Sequence, residues 1–107
     1  MVITQSEDID IANVDALAES VIAAVPNSAA GAVIDCSGVR YVDSAGIRVL
    51  VTIAERLHHR RQRLRIVLAP ESGVRRVLQI ANLDATLPVD DSVETALGAF
   101  ASMGAGC

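Results

Sequence analysis

The chain has 107 residues, of which 51% are hydrophobic and only 2% aromatic, and its net charge is −4 at pH 7. A chain of this length holds one domain that buries roughly two thirds of its unfolded surface, and its hydrophobicity excludes a disordered polymer. No apolar run reaches the roughly 18 residues that span a bilayer, and the first residues lack a basic stretch followed by an apolar one, so a soluble cytoplasmic protein without direct membrane insertion is expected.

MVITQS, short and β-branched, predicts an edge strand. From Asn13, a candidate N-cap, the residues Val14, Leu17, Ala18, Val21, Ile22 and Val25 recur at helical spacing until Pro26 ends the run. NSAAG is a turn, and AVIDCS is a short apolar run of the kind that forms a central strand covered on both faces. After the loop GVRYVD, a long helix is expected from about Ser44 to Arg60, burying Ile47, Leu50, Val51, Ala54 and Leu57 and exposing Arg48, Thr52, Glu55, Arg56 and His59.

LRIVLA is a further strand, and Pro70 opens a third helix with Val74, Val77, Leu78 and Ala81 on its apolar face and Asn82 as a left-handed stop. TLPV forms a short last strand. The final helix begins at Asp91 and Glu94, spaced as a capping box, and buries Val93, Ala96, Leu97 and Phe100. The alternation predicts a single α/β domain over residues 1–101, a small mixed sheet of about four strands packed with four helices, followed by a flexible tail at 102–107.

All nine basic residues are arginines. Without lysine the chain can supply neither a P-loop nor a Schiff base. Eight of the arginines lie from Arg48 to Arg76, but the net negative charge and the lack of stacking aromatics argue against nucleic acid as a partner. Cys36 and Cys107 are far apart and the two histidines are adjacent, so neither a disulfide framework nor a metal site is expected. Cys36 reads as a buried small hydrophobe, and no cofactor is implied.

The place with most chemical content is the turn from the second strand into the long helix, because a helix N-terminus has free N–H groups and a positive dipole end. Ser44 stands where it can cap the helix, Asp43 precedes it, and Gly46 leaves the backbone of the first turn accessible. The residues alone leave two roles open. Ser44 is an ordinary N-cap worth about 1 kcal/mol, or it is a modifiable hydroxyl at which a phosphate would add about −1.5 to −2 charges beside Asp43.

DCSGVRYVDSAGIRVLV resembles the signature of the STAS domain of bacterial anti-sigma factor antagonists and sulphate transporters, in which D-x-S-x-V leads into an aromatic-φ-D-S-x-G turn. EDIDIANVDAL resembles the family's turn into its first helix, and PESGVRRVLQIANLDATLPVDDSVETAL its third helix, last strand and last helix. The resemblance implies a partner-switching antagonist of an anti-sigma factor that is also a serine kinase. The kinase ends the complex by phosphorylating the acceptor, which falls on Ser44, and a phosphatase resets it. By the same resemblance Asp43, Ala45, Gly46, Arg48 and Thr52, with Glu55 beyond them, face the partner. Asp10 matches an acidic position near the acceptor loop and is counted with the partner-binding residues, and Asp35 and Ser37 match the D-x-S that holds the loop together. Many family members carry a small residue where this chain has Arg48. The family's first edge strand has no counterpart here, which implies either a start upstream of Met1 or an exposed sheet edge through which two copies could pair.

Enzyme readings fare worse. A nucleophile elbow needs glycine where Val42 stands, and no Asp then His follows in order. A phospho-receiver with Asp35 as acceptor would need a lysine. The stronger rival is a STAS module that does not switch, serving as an interaction subunit of a transporter or a signalling assembly.

Overall fold

The computed structural model describes residues 2–5, 9, 14–83 and 86–105, with 101–105 described as backbone. Its elements in chain order are β1 (Val2–Thr4), α1 (Val14–Ala24), β2 (Gly31–Asp35), α2 (Ser44–His59), β3 (Arg63–Val67), α3 (Gly73–Ile80), β4 (Val89–Asp90) and α4 (Val93–Ala105). Strands of Val, Ile and Leu alternate with helices because each helix must bury its apolar stripe against the sheet. The strands lie in the order β1-β2-β3-β4. All three pairings are parallel, so the sheet is not the mixed one expected. Each pair of neighbouring strands is joined through a helix, which is the connection parallel strands require.

The period-2 alternation along the strands divides the core in two. Ala32 and Ile34 of β2 and Leu64 and Ile66 of β3 face the larger cluster, with Leu17 and Val21 of α1, Leu50, Ile53 and Leu57 of α2, and Leu78 of α3. Val33 and Val67 face the other way, onto Ala96, Val93 and Phe100 of α4. The Cα radius of gyration of 12.8 Å matches the roughly 13 Å of a single 100-residue domain. The two-residue β4 is tied to β3 by a fork-shaped ion pair, Arg65 Nε and Nη2 donating to Asp90 Oδ2 and Oδ1 at 2.6 and 3.1 Å.

Several expected faces rotate by a residue or two. In α2 the buried stripe is Gly46, Val49, Leu50, Ile53 and Leu57, whereas Ile47, Val51 and Ala54 are half-buried at its margins. α3 opens not at Pro70 but on Ser72, whose Oγ accepts from the N–H groups of Val74 and Arg75, and Val77 and Ala81 are exposed. In α4, Ser92 Oγ accepts from Thr95 N–H at 3.1 Å, so Asp91 is released to pair with Arg75 of α3. Leu97 remains 43% exposed. α4 continues through 102–105, residues assigned from the sequence to a tail. Asn13, Asp10 and Cys107 lie outside the described residues.

Two helices end in the same way. Asn82, as expected, is left-handed (φ 58°), and so is Arg61 (φ 61°) at the end of α2. In each case the paired 6→1 and 5→2 bonds form, Gln62 N–H to Leu57 O with Arg61 N–H to His58 O, and Leu83 N–H to Leu78 O with Asn82 N–H to Gln79 O. Arg60 does more than complement the dipole of α2. Its guanidinium donates to Val25 O at 2.8 Å, Ile22 O at 3.4 Å and Asn27 Oδ1 at 2.7 Å, so it serves the last carbonyls of α1.

Candidate functional site

β2 ends at Asp35, whose Oδ1 accepts from the Ser37 N–H at 3.1 Å and turns the chain. Cys36 N–H continues the sheet to Val67 O, Val39 N–H closes a turn onto Cys36 O, and Val39 is buried as the loop's anchor. Arg40 and Tyr41 come next, both exposed. The loop is then stitched to a distant point of the chain. Ile9 pairs with Val42 as an isolated parallel bridge, its N–H donating to Tyr41 O at 3.1 Å while Asp43 N–H donates to Ile9 O at 3.2 Å.

This bridge decides the start of α2. Asp43 is held extended (φ −84°, ψ −179°), and its Oδ1 accepts from Gly46 N–H at 2.8 Å. Asp43, not Ser44, is therefore the N-cap, and Ser44 is the first helical residue, exposed and relieved of the capping role. Gly46 is buried rather than accessible. A Cβ placed there would lie 2.6 Å from Ile9 O and 2.6 Å from a Val42 methyl, so the first turn of α2 sits directly on the Ile9 bridge.

Beyond Ser44, Arg48, Thr52 and Glu55 follow at helical spacing and all are exposed; Ala45 is half-buried beside them. Thr52 Oγ1 donates back to Arg48 O at 3.0 Å. The structure thus brings Asp43, Ser44, Arg48, Thr52 and Glu55 into one surface stripe, places Asp35 and Ser37 in the turn behind it, and withdraws Gly46 into the core. Sequence reasoning missed two contributors. Tyr41, the only tyrosine, is 55% exposed at the head of the stripe, and a lone aromatic in a polar loop was the signal that could have found it. Ile9, fully buried, supports the whole loop, but its pairing is long-range and leaves no local trace.

The thiol of Cys36 is pushed up to about 12, first by burial and then by the negative charge of Asp35, so it packs as a small hydrophobe, as expected. Among the described residues no group of three or more His, Cys, Asp or Glu is placed to hold a metal ion, and no helix is long and apolar enough to cross a membrane. A cleft of about 370 Å³ lined by Ala54, Glu55, His58, His59, Gln62, Arg63, Leu64, Arg65, Thr86 and Pro88 lies toward the opposite end of α2. A 16-residue helix is about 24 Å long, so this cleft is separate from the Ser44 turn.

The chain belongs to the STAS domain family, whose family model matches residues 1–96. Among solved structures it is similar to an anti-sigma factor antagonist from Mycobacterium paratuberculosis, with 29% identity and a TM-score of 0.78 over 92% of this chain and 83% of that one. It shares its fold with the Thermotoga maritima protein TM1081. The crystal structure of that protein is 22% identical, with a TM-score of 0.81 over 92% of this chain and 85% of that one. Its NMR structure gives 22%, 0.79, 92% and 79%. No curated protein matches the chain.

Proposed function

We propose that this STAS-domain protein is a cytoplasmic anti-sigma factor antagonist that binds an anti-sigma factor serine kinase through the Tyr41–Glu55 surface and is switched off by phosphorylation of Ser44. The observation that carries the reading is the exposed Ser44 at the first position of α2, free of the capping role that Asp43 performs. A scaffold has no need of a hydroxyl at that point. Ser44 is then a substrate, not a catalyst: the kinase transfers the γ-phosphoryl group of ATP, the bond to ADP breaks as Ser44 Oγ bonds phosphorus, and the hydroxyl proton passes to a base of the kinase. A dianion at the centre of a contact surface is left desolvated and unpaired and repels carboxylates across the interface, so the complex dissociates. A phosphatase resets the protein by hydrolysing the phosphoester, so that water takes the phosphoryl group as inorganic phosphate and Ser44 regains its hydroxyl. Pairing of two copies along β1, which lies at one edge of the sheet, belongs to the same proposal.

Incubation with candidate anti-sigma factor kinases and ATP tests it. The expected result is phosphate on Ser44, loss of binding by the phosphorylated protein and by Ser44→Asp, and retained binding by Ser44→Ala. Equal binding of Ser44→Asp and Ser44→Ala would sink the switch.

A further inference from the structure

Arg48 stands one turn beyond Ser44 on the exposed side of α2. Its four helical neighbours at i±3 and i±4 are Ser44, Ala45, Val51 and Thr52, none of them acidic. Four arginines are committed, Arg56 to Glu19, Arg60 to the end of α1, Arg65 to Asp90 and Arg75 to Asp91. Arg61, Arg63 and Arg76, like Arg48, form no ion pair among the described residues, but of these four only Arg48 lies one helical turn from Ser44. Arg48 is exposed and forms no ion pair among the described residues. Its carbonyl accepts from Thr52 Oγ1 one turn further on. Residues at i and i+4 on a helix have Cβ atoms about 6 Å apart, a distance that a guanidinium spans easily to reach a phosphate on serine.

We infer that Arg48 is a clamp that acts only in the modified state, closing on the phosphate of phosphorylated Ser44. The inference rests on the proposed phosphorylation of Ser44 and adds to it a second effect. In the unmodified protein the stripe presents a cation at Arg48 to its partner. Once Ser44 carries phosphate, the guanidinium folds back along the helix and that cation is withdrawn as the dianion appears. One modification therefore changes the contact surface at two positions, a full helical turn apart. Adjacent to Ser44 in the chain is the Asp43 carboxylate, which opposes the second ionisation of a phosphate there, and one turn on is Arg48, which favours it. Arg40, Tyr41 and Asp43 each take part in a further interaction.

The test installs phosphoserine at position 44 by genetic encoding, so that no kinase is needed, and follows the phosphate by ³¹P NMR titration in the wild type and in Arg48→Gln. An unperturbed phosphoserine has its second pKa at about 6. A helical i,i+4 ion pair of ordinary strength lowers it by roughly 0.3 unit, and a bidentate one by more. The clamp predicts a pKa lower in the wild type than in Arg48→Gln, with the difference shrinking in 1 M salt, where the Debye length is about 3 Å. Arg48→Lys should recover part of it. Equal pKa values in the two proteins would overturn the inference. Kinase binding by the same phosphoproteins reports separately on the switch: loss of binding with equal pKa values removes the clamp alone, and unchanged binding with a lowered pKa removes the switch alone.

Discussion

The same substitution, glycine to alanine, should have opposite consequences at two helical positions of this protein. At Gly46 a new Cβ would meet Ile9 O and a Val42 methyl, each at 2.6 Å, and the backbone oxygen cannot rotate away. Relief requires α2 to move off the Ile9 bridge, which also threatens the Asp43 N–H to Ile9 O bond. Against a backbone oxygen, overpacking falls in the upper part of its usual range, about 2–3 kcal/mol, and the better helix propensity of alanine offsets at most about 1 kcal/mol of it. The net expectation is a loss of about 1–2 kcal/mol, or a Tm lowered by roughly 5–15 °C for a domain this small. At Gly98, inside α4, a new Cβ would have nothing within 4 Å of it, so Gly98→Ala should gain about 0.5–1 kcal/mol from helix propensity alone. Urea denaturation of both variants, checked for an unchanged m-value, measures the difference. A Gly46→Ala protein as stable as the wild type would refute the claim that the Ser44 turn rests on Ile9.

The cap assignment separates two neighbours: Asp43→Ala should cost about 1 kcal/mol, while Ser44→Ala should stay within about 0.5 kcal/mol of wild type, both by chemical denaturation. The reverse ranking would return the cap to Ser44. Alkaline stability should report Cys36. Its thiol is raised from 9.0 to about 12 in the folded protein, so the unfolded chain loses this proton first. The contribution is complete below pH 9 and declines as the pH rises toward 12, at about 1.4 kcal/mol per pH unit. That component of the slope should vanish in Cys36→Ala, and an unchanged slope would contradict the burial of the thiol.

Much of the architecture was legible because hydrophobic spacing is local. The period-3.6 runs at Val14–Val25 and along α2, and the apolar stretches AVID and LRIV, carried the element order and the α/β class. What the residues could not disclose was decided by pairings distant in the chain. Asp43 and Ser44 are both good N-caps, and only the bridge to Ile9, far earlier in the chain, selects Asp43. Asp91 looked like a cap because it opens a helix, yet Arg75 of another helix claims it and Ser92 takes the role. Gly46 illustrates the same limit: a glycine in a first turn reads as access to the backbone, whereas here the space of its missing side chain is filled by the neighbouring loop. The D-S-x-G turn itself was visible through resemblance, since its spacing is short and contiguous, but the exposure of Tyr41 was not.

The hold of Arg60 on the last carbonyls of α1 has a consequence for recognition. With its first turn seated on Ile9 and its C-cap residue moored to α1, α2 is fastened at both ends and has little freedom to tilt or unwind. A partner that docks on the exposed stripe meets a rigid template and loses little binding energy to ordering it. On the proposed reading, discrimination between the two forms of the protein then depends on the charge written onto that template, and the unmodified and phosphorylated backbones should superpose closely.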